Sequence, residues 1–144
     1  MRVSSKADYG VRALFDLAEH YRQGPTQSRE IALRQAIPEA YLHQVLGALN
    51  RAGFVRSTRG PLGGHELVRD PSEITLWDVL RVLDGADPRS HPHPNGAMNG
   101  EGPDLVHEVW HELQARSIEF LAGITFETLL RRRAAASPTG NYSI

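Results

Sequence analysis

Asp104, His107, Glu108 and His111 are spaced i, i+3, i+4 and i+7. On a helix this spacing puts all four on one face. Imidazole nitrogen and carboxylate oxygen both suit zinc or another divalent ion. The same residues equally suit the solvated side of a helix whose other side is buried, so the spacing leaves both readings open. Upstream, His91 and His93 sit in "SHPHPNG". Alternating proline favours a polyproline helix of about three residues per turn, where residues two apart do not share a side. The 144 residues contain no cysteine, which excludes disulfides and thiolate-held metal. No nucleophile lies beside a base at a motif spacing, and no phosphate-binding loop is present. The sequence therefore reads as a binding protein and not an enzyme.

A second set of residues suits a polyanion. The segment "AIPEAYLHQVLGALNRAGF" predicts a helix with Leu42, Val45, Leu46 and Leu49 inward. Opposite them lie Ala40, His43, Gln44, Gly47 and Arg51, with Tyr41 on the flank. Glutamine matches adenine edges in a major groove, and tyrosine and histidine reach phosphates or bases. An ordinary solvated face has the same polarity. Just downstream, "RSTRGPLGG" places Arg56 and Arg59 beside a flexible tip. Glycines let a backbone turn tightly and approach another surface. An arginine on a thin ribbon fits a minor groove, where negative potential is focused.

These residues need elements to position them. Ser5, with Asp8 three residues on, predicts a capped helix whose buried face is Ala7, Val11, Leu14, Ala18 and Tyr21. A short helix follows over Ser28–Gln35. Pro38 suits the first turn of the next helix and Gly53 its end. Phe54–Thr58 and His65–Val68 predict a hairpin around the glycine-rich tip. Thr75 with Asp78 caps a helix that Gly85 stops. Residues 85–103 read as a flexible loop rich in proline and glycine. From Asp104 a helix of about 28 Å, at about 1.5 Å per residue, runs to about Ala122. Its seam is Val106, Trp110, Leu113, Ser117, Phe120 and Ile124, alternating four and three as in a heptad. Such a face needs a second surface, on the same domain or on the same helix of another copy. A short helix, Phe126–Arg132, and a polar tail complete the chain.

The predicted fold is thus mainly α with a small β-hairpin wing: a winged helix-turn-helix followed by a long dimerisation helix. Residues 1–84 form the DNA-binding domain, 85–103 the loop, 104–132 the dimerisation helix and a short terminal helix, and 133–144 the tail. The hydrophobic fraction of 40% is ordinary for a globular chain, and no run of about 18 apolar residues predicts a membrane span. Asp8 and Asp16 interrupt the apolar pattern of the N-terminus, which argues against a signal peptide and for the cytoplasm. The formal charge of −1 hides an asymmetry. Residues 1–72 hold ten Arg/Lys and seven Asp/Glu, whereas residues 73–144 hold six and ten. The basic half is the one that would meet a polyanion.

The segments "ADYGVRALFDLA", "IPEAYLHQVLGALNRAGFVRSTRGPLGGHELVRDPSEITLWDVL" and "HEVWHELQARSIEFLAGITFETLL" resemble the IscR/NsrR family of winged-helix bacterial repressors, over nearly all of residues 1–132. The resemblance implies a homodimer on palindromic or imperfectly palindromic double-stranded DNA operators. It implies DNA contacts at Tyr41, Gln44 and Arg59, and further ones at His43, Ser57 and Gly60. Well-known members hold an iron–sulfur cluster on three cysteines in the loop corresponding to 85–104. Here the last of those positions is Asp104, the family's ligand histidine falls at His107, and Asp8 matches a carboxylate that ligates the cluster in nitric-oxide-sensing members. Without cysteine no cluster is expected, and the chain resembles the subgroup that answers to another effector or partner protein. Two alternatives remain beside a repressor of unknown signal. One is a protein-interaction module that regulates a metabolic enzyme, and the other is a repressor responsive to a divalent metal.

Overall fold

The computed structural model describes residues 2–85 and 103–136. Most of the expected loop, with His91 and His93, and the chain beyond residue 136 lie outside the described residues. Among the described residues, six α-helices and one hairpin follow in the order α1 (Ser5–Glu19), α2 (Ser28–Gln35), α3 (Glu39–Arg51), β1 (Val55–Thr58), β2 (Gly64–Leu67), α4 (Leu76–Asp84), α5 (Leu105–Ala122) and α6 (Phe126–Ala136). A short 3-10 turn, Pro71–Glu73, separates β2 from α4.

α1 is the central support. Its buried residues Ala7, Ala13, Leu14, Leu17 and Ala18 pack against α3 and α4. The expected Val11 and Tyr21 are only half-buried. Gly10 sets the closeness of α4, since a Cβ there would come within 2.0 Å of Leu83 Cδ1. The cap is Ser4 and not Ser5: Ser4 Oγ accepts from the Ala7 N–H at 3.0 Å. Asp8 is consequently one residue out of register for a capping box, and it pairs with Arg12 Nε at 3.1 Å. Ser4 also donates to the Asp84 carboxylate, tying the start of α1 to the end of α4.

α2 and α3 make the helix-turn-helix. Ala36 ends α2 in the left-handed region at φ 53°, which turns the chain sharply into α3. Pro38 stands at the N-cap of α3, just before the first turn in which it was expected. Leu42, Val45, Leu46 and Leu49 are all buried, as the helical spacing predicts. Gly53, at φ 84°, reverses the chain into the wing. β1 and β2 pair antiparallel, with Val55 opposite Leu67 and Ser57 opposite His65.

α4 begins with the expected box. Thr75 Oγ1 accepts from Asp78 N–H at 3.1 Å, and Asp78 Oδ2 accepts from Thr75 N–H at 3.0 Å. The segment just before α4 pairs with the segment joining α5 to α6. Leu76 N–H donates to Ile124 O at 2.9 Å and Phe126 N–H to Ile74 O at 3.0 Å. That pairing corrects the seam. α5 ends at Ala122, so Ile124 leaves the heptad phase and is buried in the chain's own core. α6 also departs from expectation. It runs to Ala136 and not to Arg132, so residues 133–136 are helix and not tail. Three alanines favour the extra turn. Arg133 anchors it, with Nη1 at 2.9 Å from Glu19 Oε1 and the guanidinium 5.7 Å from the Phe15 ring centre.

α5 has no buried residue. Ile118 and Leu121 turn partly inward, while Leu105, Val106, Val109, Trp110, Leu113 and Phe120 are each at least 43% exposed.

Candidate nucleic-acid interface

The outward face of α3 carries exposed Ala40, His43, Gln44 and Arg51, with Gly47 half-buried between them. A Cβ on Gly47 would meet Arg51 Nη1 at 3.4 Å, so the guanidinium lies back over the helix surface. Tyr41 is 49% exposed, and its ring tilts against Tyr9 of α1 with centres 5.6 Å apart. The first helix therefore fixes the flank of the third.

Behind this face lies an ion pair that the sequence reading missed. Asp16 on α1 is fully buried. Arg34 of α2 gives it two hydrogen bonds of 2.9 Å, and Gln35 Nε2 a third at 3.2 Å. Those bonds with Asp16 are the main cause of a raised Arg34 pKa. An acid inside the apolar pattern of α1 was the available signal, since a buried carboxylate demands a cation.

The wing turns where the side chains are smallest. Gly60 has φ 110°, and its carbonyl accepts from Gly63 N–H at 2.9 Å. A Cβ on Gly63 would lie 2.0 Å from the Thr58 carbonyl oxygen, so this turn admits only glycine there. Arg59 and Leu62 are exposed at the tip. The second strand of the wing, next to the tip, is bonded to the turn before α2: Thr26 N–H donates to His65 O at 2.9 Å, and His65 N–H to Thr26 O at 2.7 Å.

A polar chain joins the wing to α3. Asn50 Nδ2 donates to Ser57 Oγ at 3.1 Å, and Ser57 Oγ is 2.8 Å from His65 Nδ1. Burial, and then the neighbouring His43, hold the His65 imidazole below its usual pKa. His43 and Ser57 line one cleft of about 300 Å³ together with His65. Gly60 lines a separate groove between the wing and α2. Of the six expected DNA-contact positions, Tyr41, His43 and Gln44 thus stand on α3, and Ser57, Arg59 and Gly60 on the wing. His65 and Asn50 are additions; their partnership depends on strand register and helix phase together.

The candidate metal face does not converge. Asp104 is the N-cap of α5, and its Oδ1 accepts from His107 N–H at 3.1 Å. The rings of His107 and His111 stack with centres 6.2 Å apart. Among the described residues, no three His, Asp or Glu side chains gather in a metal-binding geometry. Asp8 is engaged with Arg12. Nor does the chain fit an iron–sulfur cluster, because it supplies no thiolate.

A helix-turn-helix braced by a first helix and flanked by a hairpin is a winged-helix DNA-binding regulator. A family model described as "Rrf2: Iron-dependent Transcriptional regulator" matches residues 3–132. The chain belongs to the Rrf2 family and is, like its relatives, a DNA-binding transcriptional regulator. It is 37% identical over 131 residues to the HTH-type transcriptional regulator IscR of Photobacterium profundum, covering 91% of this chain and 76% of that one. The solved structure of T. potens IscR is 35% identical, with 95% of this chain and 91% of that chain covered and a TM-score of 0.79. That of CymR, described as the global cysteine regulator of B. subtilis, is 33% identical over 90% of this chain and 95% of its own, with a TM-score of 0.77. The expected fold and family both hold.

Proposed function

We propose that the chain works as a homodimeric repressor that places α3 in the major groove and the wing along the minor groove of each operator half-site. The observation that carries this reading is the α5 face. Six large apolar side chains stand exposed along one helix of 18 residues. A contiguous apolar face of this kind marks an interaction surface. A second α5 offers the same heptad spacing in return, as a two-fold interface requires. Gln44 then reads a base edge, Arg59 lies in the minor groove, and Tyr41, His43, Ser57 and the Gly60 backbone hold phosphates or neighbouring bases. The signal reaches the dimer as a small molecule or a partner protein, without an iron–sulfur cluster.

Selection of duplexes from a random pool by the purified protein tests the reading. The enriched sequences are expected to carry two related half-sites, separated by about one helical turn or a multiple of it. Enrichment of single, unrepeated sites would remove the dimeric arrangement. No enrichment at all, with binding to every duplex alike, would leave only phosphate contacts.

A further inference from the structure

His65 borders two grooves. In the cleft between α3 and the wing it meets His43, Asn50, Arg51 and Ser57. In the groove between the wing and α2 it meets Arg29 and Gly60. Neither groove is lined by a carboxylate among the described residues. The charged or titratable groups around the ring are therefore His43 and Arg51 from α3 and Arg29 from α2. Arg56 and Glu66 flank it in the hairpin, are paired with each other at 3.5 Å, and point to the opposite face of the strands. Such a lining suits an anion.

The hydrogen bonds say how that anion would be held. Asn50 donates to Ser57 Oγ; with the His65 proton on Nε2, the Ser57 hydroxyl donates in turn to His65 Nδ1. That arrangement belongs to a neutral His65. A proton added to Nδ1 reverses the second bond. The imidazolium then donates to Ser57 Oγ, and the hydroxyl hydrogen is released to point into the cleft. One proton thus adds a positive charge and a free donor at the same place.

We propose that this cleft holds one backbone phosphate of duplex DNA, and that His65 takes up a proton from solvent as the phosphate enters. The proposal rests on the winged-helix reading and adds to it a proton-linked contact at the junction of helix and wing. Phosphate is the DNA anion that repeats irrespective of sequence. The linkage consequently acts on every duplex, and the operator need not be known to detect it.

The test measures affinity for a random-sequence duplex of about 30 base pairs, by fluorescence anisotropy at constant salt, between about pH 8 and about pH 6. Affinity of the native protein is expected to rise by about tenfold on lowering the pH, because each proton taken up contributes up to about tenfold per pH unit. The dependence of affinity on salt should also steepen by about one in log–log slope for each phosphate newly neutralised. His65→Gln keeps a polar side chain toward Ser57 but does not titrate, and it should flatten most of the pH profile. A flat profile in the native protein, or an unchanged profile in His65→Gln, overturns the proposal. Loss of duplex binding at every pH would overturn the DNA-binding reading along with it, so the two failures are distinguishable.

Discussion

The Asp16 carboxylate of α1 has no exposed surface, and the Arg34 guanidinium of α2 grips it with a matched pair of 2.9 Å hydrogen bonds. These residues are 18 apart in the chain. Their pairing holds α2 against the support helix, and α3 follows α2 after a tight left-handed turn. The orientation of α3 is therefore set in part by a contact between α1 and α2 that lies outside it. Arg34→Ala leaves the buried carboxylate with Gln35 as its hydrogen-bond donor and His20 Nδ1 at 3.7 Å. We expect a loss of about 3 kcal/mol in unfolding free energy, read from urea melts. Arg34→Lys should recover less than half, since one ammonium does not reproduce the planar fork. A loss below about 0.5 kcal/mol for Arg34→Ala would show that the pair does not brace the fold.

The wing turn offers a separate handle. Gly63→Ala would drive a methyl group into the Thr58 carbonyl, at a strain cost of about 1–3 kcal/mol. The turn must open, and Arg59 with it. DNA affinity should fall by about tenfold, and the midpoint of the urea melt should fall too, because strain held in the folded turn lowers the unfolding free energy. A variant that binds as tightly as the native chain would mean that the tip does not touch DNA.

Some of this arrangement was legible in the chain and some was not. The stripe Leu42, Val45, Leu46 and Leu49 located α3, and the Thr75–Asp78 box located the start of α4, because both are local patterns that the backbone period imposes. The glycines located the wing for the same reason. Ser4 and Ser5 are both good caps; Ser4 takes the role, accepting from the Ala7 N–H and also reaching Asp84 at the far end of α4. The Asp16–Arg34 pair, the bond between Ser57 and His65, and the burial of Ile124 all depend on contacts between separate elements. Periodicity is silent on these. The heptad spacing took in Ile124, two residues beyond the expected helix end at Ala122, where that spacing no longer sets a face.

Base readout and groove contact separate by mutation. Gln44→Ala should cost about 1–3 kcal/mol on selected operators and relax the preference at one base position in each half-site. Arg59→Ala should weaken binding most where narrow A·T-rich flanks concentrate negative potential. Affinities measured across a panel of single-base operator variants decide this. Equal small losses on every sequence for both variants would reduce the two residues to phosphate contacts.

The dimer is tested through Trp110, which is 43% exposed on the outer face of α5. Pairing two such faces removes apolar surface from water at about 25 cal/mol per Å². Trp110→Asp places a charge in the middle of that contact and should yield a monomer, or a chain that no longer stays in solution. Analytical ultracentrifugation at micromolar concentration reads the mass directly. A second substitution, Phe120→Asp, guards against local effects at one site. If both variants sediment as dimers, the seam lies elsewhere.

Without a thiolate, the chain must bind DNA in a way that does not depend on an iron–sulfur cluster. Oxygen and nitrogen donors hold such clusters far less well than sulfur does, and the carboxylate at Asp104 is engaged as the cap of α5. Protein purified anaerobically is therefore expected to show no visible absorption from iron and sulfide. Its affinity for a selected operator should be the same before and after dialysis against a chelator. A brown protein with stoichiometric iron and sulfide would contradict this, and so would DNA binding that chelation abolishes and iron restores. A colourless protein that binds DNA unchanged leaves the signal to a small molecule or a partner protein. The search for it then begins at residues 86–102, which join the DNA-binding half of the chain to the helix proposed to form the dimer.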